Sequence, residues 1–152
     1  MDFFKQIFQT TPTFIKIGFE DIKTAILSNN ESVSIIINTM PIHFQNCLIK
    51  GTINASLEES IINSVLDKYD MKRTNIILYG LNATDETVDK KATQLQGLGF
   101  SEIYIYSGGM FEWLLLQELY GPGEFPTTDK IKPVDIIKYR PCKKLDILRI
   151  GY

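Results

Sequence analysis

Two thiols and one imidazole set the limits of the side-chain chemistry in this chain: Cys47, Cys142 and His43. A thiol becomes a strong nucleophile when a base or a cation beside it stabilises the thiolate. His43 lies four residues before Cys47, so it activates that thiol only if the intervening loop folds back. A buried structural cysteine is the competing reading. Cys142 is flanked by Pro141, Lys143 and Lys144, a cationic setting that favours the thiolate, but it sits in a tail with no cradle around it. One histidine and two dispersed cysteines give no metal-ligand spacing, and neither a metal nor a cofactor is expected. Asp85, Glu86 and Asp89 could attract a divalent cation, yet a solvated acidic helix start explains them more simply. Gly108 and Gly109 have the look of a phosphate-binding turn, without the remaining glycines of such a fingerprint.

The stretch best placed for chemistry is residues 75–86, Asn-Ile-Ile-Leu-Tyr-Gly-Leu-Asn-Ala-Thr-Asp-Glu. Ile76, Ile77, Leu78 and Tyr79 read as a strand buried on both faces. Gly80, Leu81, Asn82, Ala83, Thr84, Asp85 and Glu86 then form a short polar loop at its carboxyl end, where open α/β sheets bind their ligands.

The elements that must position this loop follow from periodicity. Residues 14–17 and 33–37 read as strands, and residues 49–55 as a turn at Gly51 with a short strand. Residues 102–106 supply one more strand. Between them fall helical patterns. Residues 19–27 carry Ile22, Ala25 and Ile26 on one stripe, and Ser56 with Glu59 makes a capping box ahead of Ile61, Ile62, Val65 and Leu66. Residues 88–98 keep Val88, Ala92, Leu95 and Leu98 in phase, with Gly99 as a left-handed cap. Residues 110–120 turn Trp113, Leu114 and Leu116 inward before Gly121-Pro122-Gly123. Strands alternating with helices predict a three-layer α/β domain, its mostly parallel sheet of about five strands flanked by helices on both faces.

Residues 1–12 form an amphipathic extension in which Phe3, Phe4, Ile7 and Phe8 recur at helical spacing; they either cover the domain's own core or anchor a protein partner. Residues 13–126 make the domain, and residues 127–152 an extended, proline-containing tail ending in a strand at 145–150. A formal charge of −2 gives no basic field for nucleic acid, so none is expected as a partner. The apolar runs at 35–37 and 76–79 are far shorter than a membrane span. The amino terminus lacks a secretory pattern, so a reducing cytoplasmic setting is expected and the sequons at Asn30, Asn54 and Asn82 read as chance matches.

In this order the sequence resembles the rhodanese homology domain over roughly residues 14–126. The resemblance rests on Gly18-Phe19-Glu20-Asp21-Ile22, on Ile49-Lys50-Gly51-Thr52-Ile53-Asn54-Ala55, on residues 76–79, and on Leu98-Gly99-Phe100 followed by Ile103-Tyr104 and Gly108-Gly109-Met110-Phe111-Glu112-Trp113. It implies sulfur or phosphoryl transfer by a cysteine placed directly after the central strand, with loop amides and an arginine holding the anion. Here that position is Gly80, the loop ends in Asp85 and Glu86, and the positions corresponding to family Asp, Arg and His are Asn38, Met40 and Leu48. The expectation is a non-catalytic rhodanese-like domain that binds protein or builds a larger assembly. The loop at residues 79–87 and Phe125-Pro126-Thr127-Thr128 also resemble rhodanese-like proteins of large DNA viruses and protists, and a viral source would imply a place in the virion. The competing expectation is an active sulfurtransferase or phosphatase using Cys47. Oligomeric state is left open.

Overall fold

The computed structural model describes residues 13–28, 34–129 and 135–145. The amino-terminal helix expected around Phe3, Phe4, Ile7 and Phe8 lies outside the described residues, as do residues 146–150 of the expected final strand.

Four runs rich in isoleucine and tyrosine form strands: β1 (Ile15–Ile17), β2 (Ser34–Asn38), β3 (Asn75–Tyr79) and β4 (Glu102–Tyr106). They pair in the order β1-β4-β3-β2, every pair parallel. β3 therefore has a neighbour on each side, with Ile77 opposite both Ile36 and Tyr104. The crossover helices are α1 (Phe19–Leu27), α2 (Ala55–Asp67) and α3 (Glu86–Gly97), and α4 (Gly109–Tyr120) follows the last strand.

Strand alternation sorts the core into two layers. Ile36, Ile77, Tyr79 and Tyr106 pack with Ile22 of α1 and with Met110, Trp113 and Leu114 of α4. Ile35, Ile37, Ile76, Leu78, Ile103 and Ile105 pack on the other face with Ile62 of α2 and with Val88, Ala92 and Leu95 of α3. Each isoleucine, leucine, valine or methionine among them contributes about 1.5–3 kcal/mol on full burial. A slip of one residue along β3 would exchange the two layers, so the register that carries the loop is strongly fixed.

The sheet has four strands among the described residues rather than about five. The short strand expected within residues 49–55 reduces to two isolated bridges, Ile36 with Thr52 and Ile49 with Thr127. The turn expected at Gly51 is present, with φ +93° and the Thr52 amide donating back to the Ile49 carbonyl at 3.0 Å, and it leaves no room for a ladder beside it. The start of α2 also differs from the Ser56–Glu59 capping box. Asn54 is the cap, its Oδ1 accepting the Ser56 amide at 3.0 Å and the Ser56 hydroxyl at 2.9 Å. Gly99 takes φ +107° after α3, as expected of a left-handed cap. The tail is not extended throughout: a 3-10 turn, Ile136–Tyr139, packs against α4. Among the described residues no helix is long and apolar enough to cross a membrane.

Candidate functional site

β3 delivers its last residue, Tyr79, into the core, where the hydroxyl accepts the Ile49 amide at 3.1 Å and shares a hydrogen bond with Thr52 Oγ1 at 2.8 Å. The turn around Gly51 is thereby tied to the end of the central strand. Gly80 follows, and the chain bends into the loop.

One carboxylate spans that loop. Asp85 caps α3, its Oδ1 accepting the Thr87 amide at 3.0 Å and the Thr87 hydroxyl at 2.6 Å. Its Oδ2 reaches back to accept the Leu81 amide at 2.9 Å. A Cβ added at Gly80 would overlap Asp85 Oδ2 and lie 2.7 Å from Val88 Cγ2. Glu86, beside it, is exposed. The Asn82 side chain is buried; its Oδ1 accepts the Thr84 amide at 3.0 Å and hydroxyl at 2.9 Å, and its Nδ2 donates to the Tyr139 carbonyl at 3.0 Å.

The amino end of α4 closes the loop from the third side. Met110 donates its amide to the Gly80 carbonyl and Phe111 to the Leu81 carbonyl, each at 2.9 Å, so two orphan donors of the helix end are satisfied by the loop. Gly109 is thus packed on the loop backbone, 2.8 Å from the Gly80 carbonyl oxygen at the position a Cβ would take. Of the sequons, Asn54 and Asn82 both commit their side chains to hydrogen bonds within the chain.

Beside this loop a neutral amide pair fixes the end of β2. Asn38 Nδ2 donates to Gln45 Oε1 at 3.0 Å, and Gln45 Nε2 donates to Asn38 Oδ1 at 2.7 Å and to the Met40 carbonyl at 2.9 Å. Cys47 is buried, and burial pushes its thiol up, against hydrogen bonds from the Thr127 hydroxyl and the Asp129 backbone that pull it down. His43 is exposed and its ring lies tilted against Phe44 with centroids 4.5 Å apart; no hydrogen bond joins it to Cys47. Cys142 is exposed. Among the described residues no group of three or more His, Cys, Asp or Glu could hold a metal ion.

Three buried tyrosines around the site give the fold an alkaline limit. Burial pushes the Tyr139 hydroxyl up to about 12, with Cys47 nearby adding to the rise. Burial also raises Tyr79, and raises Tyr106 with a further contribution from the Glu112 carboxylate beside it. An unfolded tyrosine ionises near 10, so the stabilisation from keeping these hydroxyls neutral is complete below about pH 10 and is lost as pH rises through the folded values. The urea midpoint should stay flat from about pH 7 to 9.5 and fall steeply beyond about 10, less steeply in Tyr139→Phe. An identical alkaline slope in Tyr139→Phe would show that this hydroxyl does not contribute.

The family model for the Rhodanese-like domain matches residues 19–116. The chain belongs to the rhodanese-like family. Among solved structures, the Alr3790 protein from Anabaena sp. matches with a TM-score of 0.54 and 17% identity, over 76% of this chain and 94% of that one. The solution structure of the rhodanese-like domain of the same protein matches at 0.52 and 15%, over 81% and 89%. The BH2092 protein from Bacillus halodurans matches at 0.50 and 18%, over 74% and 75%. At these identities the likeness is one of fold. No curated protein matches the chain.

The loop was legible as a place, and its rhodanese-like setting confirms the strand that precedes it. Its internal wiring was not. Asp85 two residues before Thr87 at a helix start is a local cap signal. The reach of Asp85 to Leu81, the approach of Gly109 to Gly80 and the bond from Asn82 to Tyr139 have no local signal at all.

Proposed function

We propose that this chain is a non-catalytic rhodanese-like domain that serves as a protein-binding or structural module, including as part of a larger assembly. One observation carries this reading: the space in front of Gly80 is filled by the chain's own Asp85 carboxylate, bonded to Leu81 and Thr87. A transferase of this family's kind needs a nucleophile at that point and room for an anion. Gly80 offers no nucleophile, and a negative charge already occupies the amides that would receive the anion. In this reading residues 80–86 are a converted active-site loop, residues 13–126 the scaffold, and the flanking segments, with Phe3, Phe4, Ile7 and Phe8 in one and the basic tail in the other, supply contact surface.

Cys47 as a replacement nucleophile draws no support from its surroundings. Its thiol is buried, its ionisation is disfavoured, and the one imidazole is not bonded to it. The test compares the purified chain with Cys47→Ser in a thiosulfate and cyanide sulfurtransferase assay and in hydrolysis of p-nitrophenyl phosphate. Both proteins should stay at background. Turnover that disappears with Cys47 would overturn the reading.

A further inference from the structure

Tyr139 lies beyond the segment that matches the family model, residues 19–116, yet it is as buried as the core strands, at 5% exposure. Its carbonyl accepts the Asn82 side-chain amide at 3.0 Å, and its ring meets Phe44 edge-on with centroids 4.9 Å apart. Ile136 packs into the same cluster, which includes Leu81, Phe111 and Cys47. Around this anchor the tail is exposed: Ile137 at 61%, Lys138, and every residue from Arg140 to Leu145.

The seat thus has three parts. The Asn82 amide reads a main-chain carbonyl, which any sequence can present. Phe44 forms an aromatic wall, and α4, against which the turn packs, forms the ground beneath it. Such a combination selects a short peptide by one aromatic and one aliphatic anchor, with main-chain bonding fixing its position. Here the two anchors are Tyr139 and Ile136, three residues apart on one turn.

We propose that this seat is a peptide-binding groove, occupied in the free protein by the chain's own residues Ile136–Tyr139. The proposal rests on the binding-module reading above and names its site: the partner offers a turn-forming peptide with an aliphatic residue three positions before an aromatic one. The chain's own segment competes for the groove, so a partner binds with an affinity lowered by the fraction of molecules in which the seat is open.

The probe is a fluorescently labelled synthetic peptide of residues 135–145 with serine at position 142, titrated against the full chain and against Tyr139→Ala in the full chain. The variant should bind it at least about tenfold more tightly than the wild type, because its own anchor no longer fills the seat. A peptide with alanine at position 139 should bind neither protein, and adding Phe44→Ala to the variant should abolish binding. Equal binding to wild type and variant, or no binding to either, would overturn the proposal. Folding is followed by circular dichroism and Trp113 fluorescence. Should Tyr139→Ala fail to fold, Ile136→Ala, which removes the other anchor and leaves the Tyr139 ring in place, is expected to bind the peptide more tightly than the wild type, and equal binding there overturns the proposal as well. The two readings fail separately, since Cys47-dependent turnover would end the non-catalytic reading, whereas absent peptide binding without turnover ends only this one.

Discussion

Gly80→Cys, which places a thiol at the end of the central strand, is expected to destabilise the fold by about 2–4 kcal/mol and to yield no sulfurtransferase activity. The added Cβ overlaps Asp85 Oδ2 and comes within 2.9 Å of Asp85 Cγ and 2.7 Å of Val88 Cγ2. Val88 is 4% exposed and packed among the residues of α3 and the sheet, so it cannot move aside cheaply. Asp85 must then leave, which breaks its bonds to Thr87 and Leu81 and uncaps α3. The thiol would gain a site only where a helix start had been lost. Gly80→Ala should lose nearly as much stability, since the clash begins at Cβ. Gly80→Ala combined with Asp85→Gly should lose less than the sum of the two single losses, because the second change removes what the first collides with. Urea denaturation followed by Trp113 fluorescence compares these variants, Asp85→Gly included, with the wild type. Wild-type stability in Gly80→Cys, or strict additivity in the double variant, would show that the loop opens without resistance.

How far the sequence predicts this site depends on the range of the interaction concerned. The runs at Ile35 to Ile37 and Ile76 to Tyr79 predict buried parallel strands because periodicity and β-branching are local. The break at Gly80 marks the loop for the same reason. The turn expected at Gly51 forms, at φ +93°, but the short strand expected with it is reduced to isolated bridges, because the backbone leaves the sheet there. The cap of α2 shifted because Asn54 and Ser56 both suit a cap, and only the geometry gives the amide to Asn54. Asp85 is visible in the sequence as an acid at the loop's far end, where the resemblance implies an arginine. Its actual part is closer to that of the anion itself, accepting hydrogen bonds from Leu81 and Thr87. That role depends on where α3 begins relative to β3. The burial of Tyr139 depends on Phe44 and Asn82, both distant in sequence, and a mixed-charge, proline-containing tail gave no sign of it.

Gly109→Ala should be more damaging than Gly80→Ala, because the new methyl would meet backbone. A Cβ there falls 2.8 Å from the Gly80 carbonyl oxygen and 2.9 Å from the Asn82 amide nitrogen, in a residue already at φ +66°. Neither neighbour can rotate away as a side chain does. The strain of a left-handed alanine and the separation of α4 from the loop together should cost about 3–5 kcal/mol. Gly121→Ala is the control: φ is +93° but nothing lies within 4 Å, so only the backbone strain of about 1–3 kcal/mol remains. The difference should also be local. Pushing α4 outward lengthens the bonds from Met110 to Gly80 and from Phe111 to Leu81, so hydrogen exchange at those two amides should accelerate in Gly109→Ala and stay unchanged in Gly121→Ala. Equal losses in the two variants would mean that the approach of Gly109 to the loop carries no weight. Unequal losses would assign the glycine at 109 to close packing of a helix start on the loop after β3, a requirement that needs no phosphate in the turn.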